Sequence, residues 1–230
     1  MSGPTLSEQA YQHIKKQVFS GKLVPGDRLV NRSIAEEIGA SFIPVREAIG
    51  RLASEGIVEQ VAGAGAFVRL FDRQEIAEIY DARELIEPYA AARAARHITD
   101  LELAELKSLL SEWQDLGEKI MTARRGATTK DLDHWLTLNE RFHEIMIHAS
   151  RNRFLAKITA NVHVLSQCFA AHRSSPKILS HDLVKSTLET HLELVALLEA
   201  GDESAAEALV RKQLEYGRDS VLSFLDQARS

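Results

Sequence analysis

Cysteine and long apolar runs are scarce in this sequence. Its 230 residues include a single cysteine, Cys168, so an internal disulfide framework is excluded and a reducing cytoplasm is favoured. No apolar stretch approaches the roughly 20 residues that a membrane-spanning helix requires, and no signal-peptide pattern opens the chain. We therefore expect a cytoplasmic protein with no membrane partner. Cys168 lies in an apolar helical stretch, which favours an inert core thiol over a reactive one.

An excess of positive charge is also lacking. The formal net charge is -5 at pH 7, which by itself does not indicate nucleic-acid binding. The charge is unevenly spread, because residues 1–71 carry eight Lys or Arg and seven Asp or Glu, whereas residues 72–230 carry 20 and 26. The contrast is consistent with two regions that have different tasks, although many proteins that bind no nucleic acid show it as well.

The first 70 residues carry the pattern of three short helices and a hairpin. Apolar residues at helical spacing predict helices over 7–20, 33–38 and 44–54. Asn31 and Ser41 are placed to cap the second and third of these helices. Two short β-like runs, 57–61 and 66–70, flank a segment with two glycines and predict a hairpin. This order is that of a winged helix-turn-helix, whose last helix enters the major groove of DNA.

From residue 75 onward the periodicity is helical throughout. The predicted helices are 75–96, 99–121, 132–149, 154–173, 181–200 and 202–228. Thr99 with Glu102 forms a candidate capping box, and Asp202 is a candidate N-cap. Short connections between helices predict an antiparallel bundle. The expected fold is therefore mainly α, with a winged helix-turn-helix domain (1–70), a linker (71–74) and an antiparallel all-α helical bundle (75–230).

Several ordered motifs resemble a known family. In the first domain they are Val24-Pro-Gly-Asp-Arg-Leu29, Ile34-Ala-Glu-Glu-Ile-Gly39, Pro44-Val-Arg-Glu-Ala48, Leu52-Ala-Ser-Glu-Gly56 and Gly65-Ala-Phe-Val68. These resemble the winged-helix domain of the GntR family. Arg83-Glu-Leu-Ile-Glu87, Phe142-His143, Ser150-Arg-Asn152, His191 and Gly201-Asp202 resemble its FadR-type subgroup, whose C-terminal domain is a helical bundle. The resemblance implies a homodimeric, ligand-responsive transcription regulator that binds double-stranded operator DNA, more often a repressor than an activator.

The resemblance also implies which residues contact DNA. Arg32 and Arg46 correspond to DNA-contacting arginines of the family, and Ser41 to a phosphate contact at a helix N-terminus. The alternative is that these are ordinary solvated side chains. Where the family commonly has Ser-Arg-Thr, this chain has Ser41-Phe42-Ile43, so one expected basic residue that contacts DNA is lost. Phe42 and Ile43 either contact thymine methyl groups or pack inward. Gly63 and Gly65 permit close approach of the wing to the minor groove, which a plain tight turn explains equally well.

Polar residues on the buried faces of the bundle predict an effector site. Arg83 and Glu87 are four residues apart, so they either pair with each other or place Arg83 as the anchor of a ligand carboxylate with Glu87 fixing its rotamer. Four further residues fall on core-facing stripes, namely Asn139, His143, His191 and Gln213. Arg173 is a second candidate anchor, for which a surface or dimer role is an equal alternative. The predicted effector is a small organic acid.

The same stripe bears on metal binding. In metal-binding members of the subgroup, one Asp and three His hold a divalent cation at these four places. Here Asn139 and Gln213 replace two of those ligands, and carboxamides are weak, uncharged ligands for zinc-like ions. His143, His191 and Asn139 are therefore the disfavoured alternative, a ligand set for Zn, Ni or Mn, and a metal-free organic pocket is favoured.

Two other function classes are less consistent with the sequence. Glu140, His143, Glu144 and His148 superficially resemble a zinc-hydrolase helix, but the two histidines are five residues apart and lie on different faces. No nucleophile motif or phosphate-binding loop is present, so we expect no enzyme. A purely structural helical adaptor would leave the winged-helix segment and the polar core stripe unexplained.

Overall fold

The computed structural model describes residues 3–160, 162, 176 and 179–228. Cys168 and Arg173, an expected core thiol and a candidate anchor, lie outside the described residues. The described residues fall into two compact units, one of residues 3–72 and one that begins at Arg73. No helix in the described part of the chain is long and apolar enough to cross a bilayer.

The first unit combines three helices with a small antiparallel sheet. In chain order its elements are α1 (Leu6–Phe19), β1 (Arg28–Leu29), α2 (Asn31–Ile38), α3 (Phe42–Ser54), β2 (Val58–Val61) and β3 (Gly65–Val68). The strand order is β1-β3-β2, so the predicted hairpin has a third strand that was not anticipated. A strand of two residues carries no alternation to detect. Ile14, Leu52 and Ile57 are fully buried at the centre of this unit.

One predicted cap in this unit is wrong. Asn31 is the first residue of α2, and the N-cap is Val30, which makes no side-chain cap hydrogen bond. Gly39 is the C-cap of helix α2, and its left-handed φ of 67° suits a residue without a Cβ. Ala40 N then donates to Ala35 O at 2.9 Å, which closes the turn into α3.

The wing is the turn between β2 and β3. Val61 lies opposite Gly65, and Ala64 N donates to Val61 O at 3.1 Å. Gly63 and Gly65 have φ values of 76° and 116°, a region that non-glycine residues rarely adopt. On the other edge of β3, Arg28 lies opposite Phe67 and Leu29 opposite Ala66. Because facing residues share one side of a sheet, Leu29 and Ala66 are buried while Arg28 stands on the outer face.

The second unit is helical throughout its described part, as predicted. Its elements are α4 (Arg73–His97), α5 (Asp100–Thr122), α6 (Thr129–Ala149), α7 (153–160), α8 (His181–Ala200) and α9 (Glu203–Ala228). Helix α4 packs against α6, α8 and α9, and α5 packs against α6 and α8. The fully buried side chains of Trp113, Phe142 and Met146 lie in the core of this unit.

Local capping explains where these helices begin. The predicted capping box is confirmed, since Thr99 accepts from Glu102 N and Glu102 in turn accepts from Thr99 N at 3.0 Å. Asp202 accepts from Ala205 N at 3.0 Å, which confirms the second predicted cap. A further capping box, Thr128 with Asp131, starts α6 three residues earlier than the apolar pattern indicates.

The Ser150-Arg-Asn152 motif shapes the turn between α6 and α7. Arg151 has a left-handed φ of 53°, and its guanidinium donates to Glu102 at 2.6 and 2.7 Å. Asn152 caps α7 by accepting from Phe154 N at 3.1 Å. The Ser150 carbonyl accepts from Arg93 Nε at 3.0 Å. The motif therefore ties this turn to α4 and to the start of α5.

Pro88 interrupts the hydrogen-bond ladder of α4. Proline has no N–H, so the carbonyl of Glu84, four residues earlier, loses its helical donor. Arg211 Nη1 on α9 lies 3.4 Å from that carbonyl and supplies a donor. Arg218 Nη1, two turns further along α9, lies 3.2 Å from Asp81 Oδ1 and 3.3 Å from Glu84 Oε1. These contacts accompany the packing of α9 along α4.

Candidate functional site

The N-terminus of α3 is open to solvent. Ser41 is its N-cap residue, but its side chain makes no cap hydrogen bond, so the predicted hydroxyl cap is wrong while the position is right. The first N–H groups of the helix are therefore left for an external acceptor such as a phosphate. Phe42 and Ile43 are 55% and 69% exposed. Of the two alternatives for these apolar residues, inward packing is excluded.

Arg46 projects from the same helix. Val45, Ile49 and Leu52 are buried, whereas Arg46 is exposed and has no ion-pair partner among the described residues. Arg32 on α2 differs, because its Nε donates to Glu36 Oε1 at 2.9 Å. The side chains of Arg32 and Glu36 are both more than half exposed, and an exposed i,i+4 ion pair contributes only about 0.5 kcal/mol to stability. Arg32 can therefore leave Glu36 for a phosphate at little cost.

A groove of about 860 Å³ separates α3 from the wing. Arg46 and Ile49 line it from α3, Arg28 from β1, and residues 60–66 from the wing. Two arginines and no carboxylate are among its lining residues. Polar and positively charged, it suits an anionic backbone better than an apolar ligand.

The second unit holds an aromatic and imidazole cluster. The rings of His143 on α6 and His191 on α8 are 5.5 Å apart between centroids. Trp113 lies 4.7 Å and Phe142 4.6 Å from His191. The prediction that both histidines face the core is confirmed, since both are buried. The fold thus brings together residues that lie 48 positions apart in the chain.

Hydrogen bonding determines the tautomer of His191. Its Nδ1 lies 2.7 Å from Thr187 O, and because a carbonyl only accepts, Nδ1 carries the proton. Burial lowers the pKa of His191 to about 4, and the bond to Thr187 only partly offsets that effect. The ring is therefore neutral at pH 7, with a lone pair on Nε2. Nε2 has no hydrogen-bond partner in the described part of the chain, and the same holds for the buried Nε1 of Trp113.

Arg83 and Glu87 form the pair that their spacing predicts. Arg83 Nε lies 2.6 Å from Glu87 Oε1, and Nη2 lies 3.4 Å from Oε2. Glu87 is fully buried, and the Arg83 guanidinium lies 5.0 Å from the centre of the Tyr80 ring. Although burial opposes the charged form, the neighbouring Glu87 carboxylate leaves the pKa of Arg83 raised. The anchoring of an effector by Arg83 stays a prediction, in which the ligand shares the guanidinium with Glu87.

The remaining predicted residues lie at the margins of the bundle core. Asn139 is half-buried, one turn before His143 on α6, and Gln213 is half-buried on α9. Trp113 is not among the site residues predicted from the sequence, because a position among leucines on a helix is typical of ordinary core. The signal was available, because the N–H of a buried tryptophan requires a partner and an apolar stripe supplies none.

Comparisons with known proteins decide the family. The family model described as "Bacterial regulatory proteins, gntR family" matches residues 6–68, and the model described as "FCD domain" matches residues 78–216. The chain belongs to the GntR family. The HTH-type transcriptional regulator McbR of Escherichia coli is 30% identical over 88% of this chain and 86% of its own length. The Nta operon transcriptional regulator of Aminobacter aminovorans is 26% identical over 87% of each chain. The solved structure of E. coli McbR/YncC has a TM-score of 0.79 and 26% identity, and covers 97% of this chain and all of that one.

This GntR-family protein is therefore a DNA-binding transcriptional regulator with a helical FCD domain, and not an enzyme. The expected winged helix-turn-helix and helical domain are both confirmed. The groove beside α3 lies in the part that matches the gntR description, and the cluster of His143 and His191 lies in the part that matches the FCD domain.

The donor set of the FCD domain does not fit a zinc-like cation. The unpartnered Nε2 of His191 could donate to a metal, but Asn139 and Gln213 offer neutral amide oxygens where an anionic ligand would balance the charge. Within the described residues no three His, Cys, Asp or Glu side chains converge on one point. The preference for an organic effector over a metal follows from this donor chemistry and stays a prediction.

Proposed function

We propose that this regulator is a homodimeric repressor whose operator binding responds to a small organic acid. Two copies place their α3 helices on half-sites about one helical turn apart. The DNA-contacting residues are Arg32, Ser41, Phe42, Ile43, Arg46, Gly63 and Gly65. Support comes from the open N-terminus of α3 and from an exposed Arg46 with no carboxylate partner in the described chain. Phe42 and Ile43 supply apolar contacts to thymine methyl groups.

One observation carries the effector half of the proposal. Nε2 of His191 and Nε1 of Trp113 are buried polar atoms without a partner in the described chain, and such atoms cost about 1–3 kcal/mol each when left unsatisfied. An effector that satisfies both recovers that cost on binding. The neutral His191 accepts a hydrogen bond, whereas the indole N–H donates one.

This polarity narrows the class of effector. A hydroxyl group donates to His191 Nε2, and a carboxylate accepts from Trp113 Nε1. A hydroxy acid carries both groups, and the Arg83 guanidinium, which it would share with Glu87, is the proposed cationic contact of the carboxylate. Asn139, His143 and Gln213 provide further polar contacts. The effector alters operator affinity only because it binds the DNA-competent and the DNA-incompetent states of the regulator with different affinities.

Thermal-shift screening of paired acids tests the effector. Each small hydroxy acid is compared with the acid that lacks the hydroxyl. At a concentration of 100 times its Kd, a ligand adds about 2.7 kcal/mol to the free energy of unfolding. We expect the hydroxylated member of a pair to raise Tm, and Arg83→Ala and Trp113→Phe to reduce the shift. A response that is intact in Arg83→Ala contradicts the proposed anchor.

A metal-dependent sensor is the alternative function, and elemental analysis separates the two. Stoichiometric zinc, nickel or manganese in protein purified without added metal would overturn the organic-effector proposal.

The DNA-binding half of the proposal is tested with a duplex selected by the protein from a random library. Arg46→Ala is expected to weaken binding and relax base preference at one position by about 1–3 kcal/mol.

A further inference from the structure

Arg28 occupies an unusual place beside the wing. It stands on the outer face of β1, opposite Phe67, and its side chain runs diagonally across β3 to Gly65. A Cβ built on Gly65 would lie 3.2 Å from Arg28 Nε, 3.4 Å from Nη2 and 3.7 Å from Cζ. Because Cζ is the farthest of the three atoms, the Nε–Nη2 edge of the guanidinium faces the glycine.

The charge of Arg28 is not balanced by any carboxylate that the structure describes. In the described part of the chain, no carboxylate pairs with Arg28, whereas Arg32 pairs with Glu36 and Arg51 with Glu8. Arg46 also lacks such a partner, and it lines the same groove as Arg28. Within residues 3–72, Arg28 and Arg46 thus line one groove without a carboxylate partner, whereas the carboxylate-bound Arg32 and Arg51 do not line it.

We propose that Arg28 is a further DNA contact that binds a backbone phosphate beside the wing, and that Gly65 is the residue that positions it. The proposal rests on the DNA-binding surface described above. A guanidinium whose Nε–Nη2 edge is held against the wing is turned away from the base edges, but its Nη1 end remains available to a phosphate that passes the wing. The role of Gly65 is then to be small where the Arg28 side chain crosses the strand, in addition to allowing the turn.

Salt dependence of binding tests the phosphate contact. Each phosphate contact contributes about 0.9 to the slope of log affinity against log salt concentration. We expect Arg28→Ala to reduce the magnitude of that slope by about 0.9 per bound protomer. The loss of DNA affinity relative to the wild type should then shrink about 3.5-fold per protomer between 50 and 200 mM salt. Arg28→Lys keeps the charge and should retain the slope. Lys16→Ala, an exposed basic residue of α1 outside the groove, serves as the charge-matched control.

The outcomes separate this proposal from the proposed function. The probes are the selected duplex and a scrambled duplex of equal length, and the loss in Arg28→Ala should be similar on both. An unchanged slope, or a new base preference in the flanking sequence, would overturn the phosphate contact. If Arg46→Ala weakens binding and Arg28→Ala does not, only the assignment of Arg28 fails. If neither variant affects binding, the proposed DNA surface fails with it.

Two wing glycines provide a matched pair for the positioning role. Both have positive φ, but a Cβ at Gly63 meets nothing within 4 Å, whereas at Gly65 it meets Arg28. We expect Gly65→Ala to reduce the salt slope as Arg28→Ala does. Gly63→Ala should keep the wild-type slope even where it lowers affinity as a wing contact, because an uncharged contact releases no counterion. The double variant Arg28→Ala/Gly65→Ala should equal Arg28→Ala alone. Additive losses in the double variant, or equal slopes for the two glycine variants, would refute the positioning role. A change in Tm alone, without a change in slope, would mean that the contact only stabilises the wing.

Discussion

The buried His191 makes the stability of this regulator depend on pH between 4 and 6.5. Its pKa is about 4 in the folded chain and 6.5 as a free side chain. Above pH 6.5 the ring is neutral in both states. As the pH falls below 6.5, only the unfolded chain takes up the proton, so the free energy of unfolding decreases. The decrease reaches about 2 kcal/mol at pH 5 and about 3 kcal/mol at pH 4, where it levels off.

Urea denaturation at pH 7, 6 and 5 measures this effect. We expect His191→Gln to remove about 2 kcal/mol of the pH dependence between pH 7 and 5, whatever its effect on stability at pH 7. His148→Gln is the matched control, because it removes an exposed imidazole near the end of α6. NMR of the ring nitrogens provides a direct check, with the proton expected on Nδ1. Equal pH dependence in wild type and His191→Gln, or a measured pKa above 6, would refute the reasoning.

Three further outcomes follow from the packing and exposure of single residues. Glu102→Gln weakens the capping box and the ion pair between Glu102 and the Arg151 guanidinium. Because the pKa of Glu102 is lowered to about 2, the stability that its carboxylate confers is present above pH 4.5 and lost as the pH falls toward 2. Urea titration of the variant should therefore show a loss of about 1 kcal/mol at pH 7 and little at pH 2. Gly117→Ala places a Cβ 2.8 Å from a leucine methyl of α8, so we expect a lower Tm despite better helix propensity, and a higher Tm would show that the core yields. Phe42→Ala and Ile43→Ala should change base preference with almost no change in Tm, since both side chains are exposed; a loss of Tm would mean that they pack inside the unit.

Most of the fold could be predicted from short-range patterns. The helices of the second unit begin within three residues of the predicted starts, because caps such as Thr99 and Asp202 act on the first turn of their own helix. Strand β1 was missed, since its two residues acquire strand geometry only by pairing with β3. Asn31 was assigned as a cap because its side chain is suitable, but Val30 takes that position without one.

The candidate sites depend on longer distances in the chain. Spacing alone indicated that Arg83 and Glu87 meet, because residues four apart on a helix are neighbours. It did not show that Trp113 lies against His191, or that Arg28 crosses Gly65, since those contacts join separate elements. Nor could it show that Phe42 and Ile43 point outward at the end of α3.

The sequence by itself determined the order of helices and strands and the family's motifs, because periodicity and capping involve residues within about four positions of each other. Only the tertiary structure decided which charges and polar atoms remain without a partner among the described residues. Whether Arg28, Arg46, Trp113 and His191 are satisfied depends on every element packed around them, and no local pattern records that. Those unpartnered groups are where the groove for DNA and the proposed effector site are found.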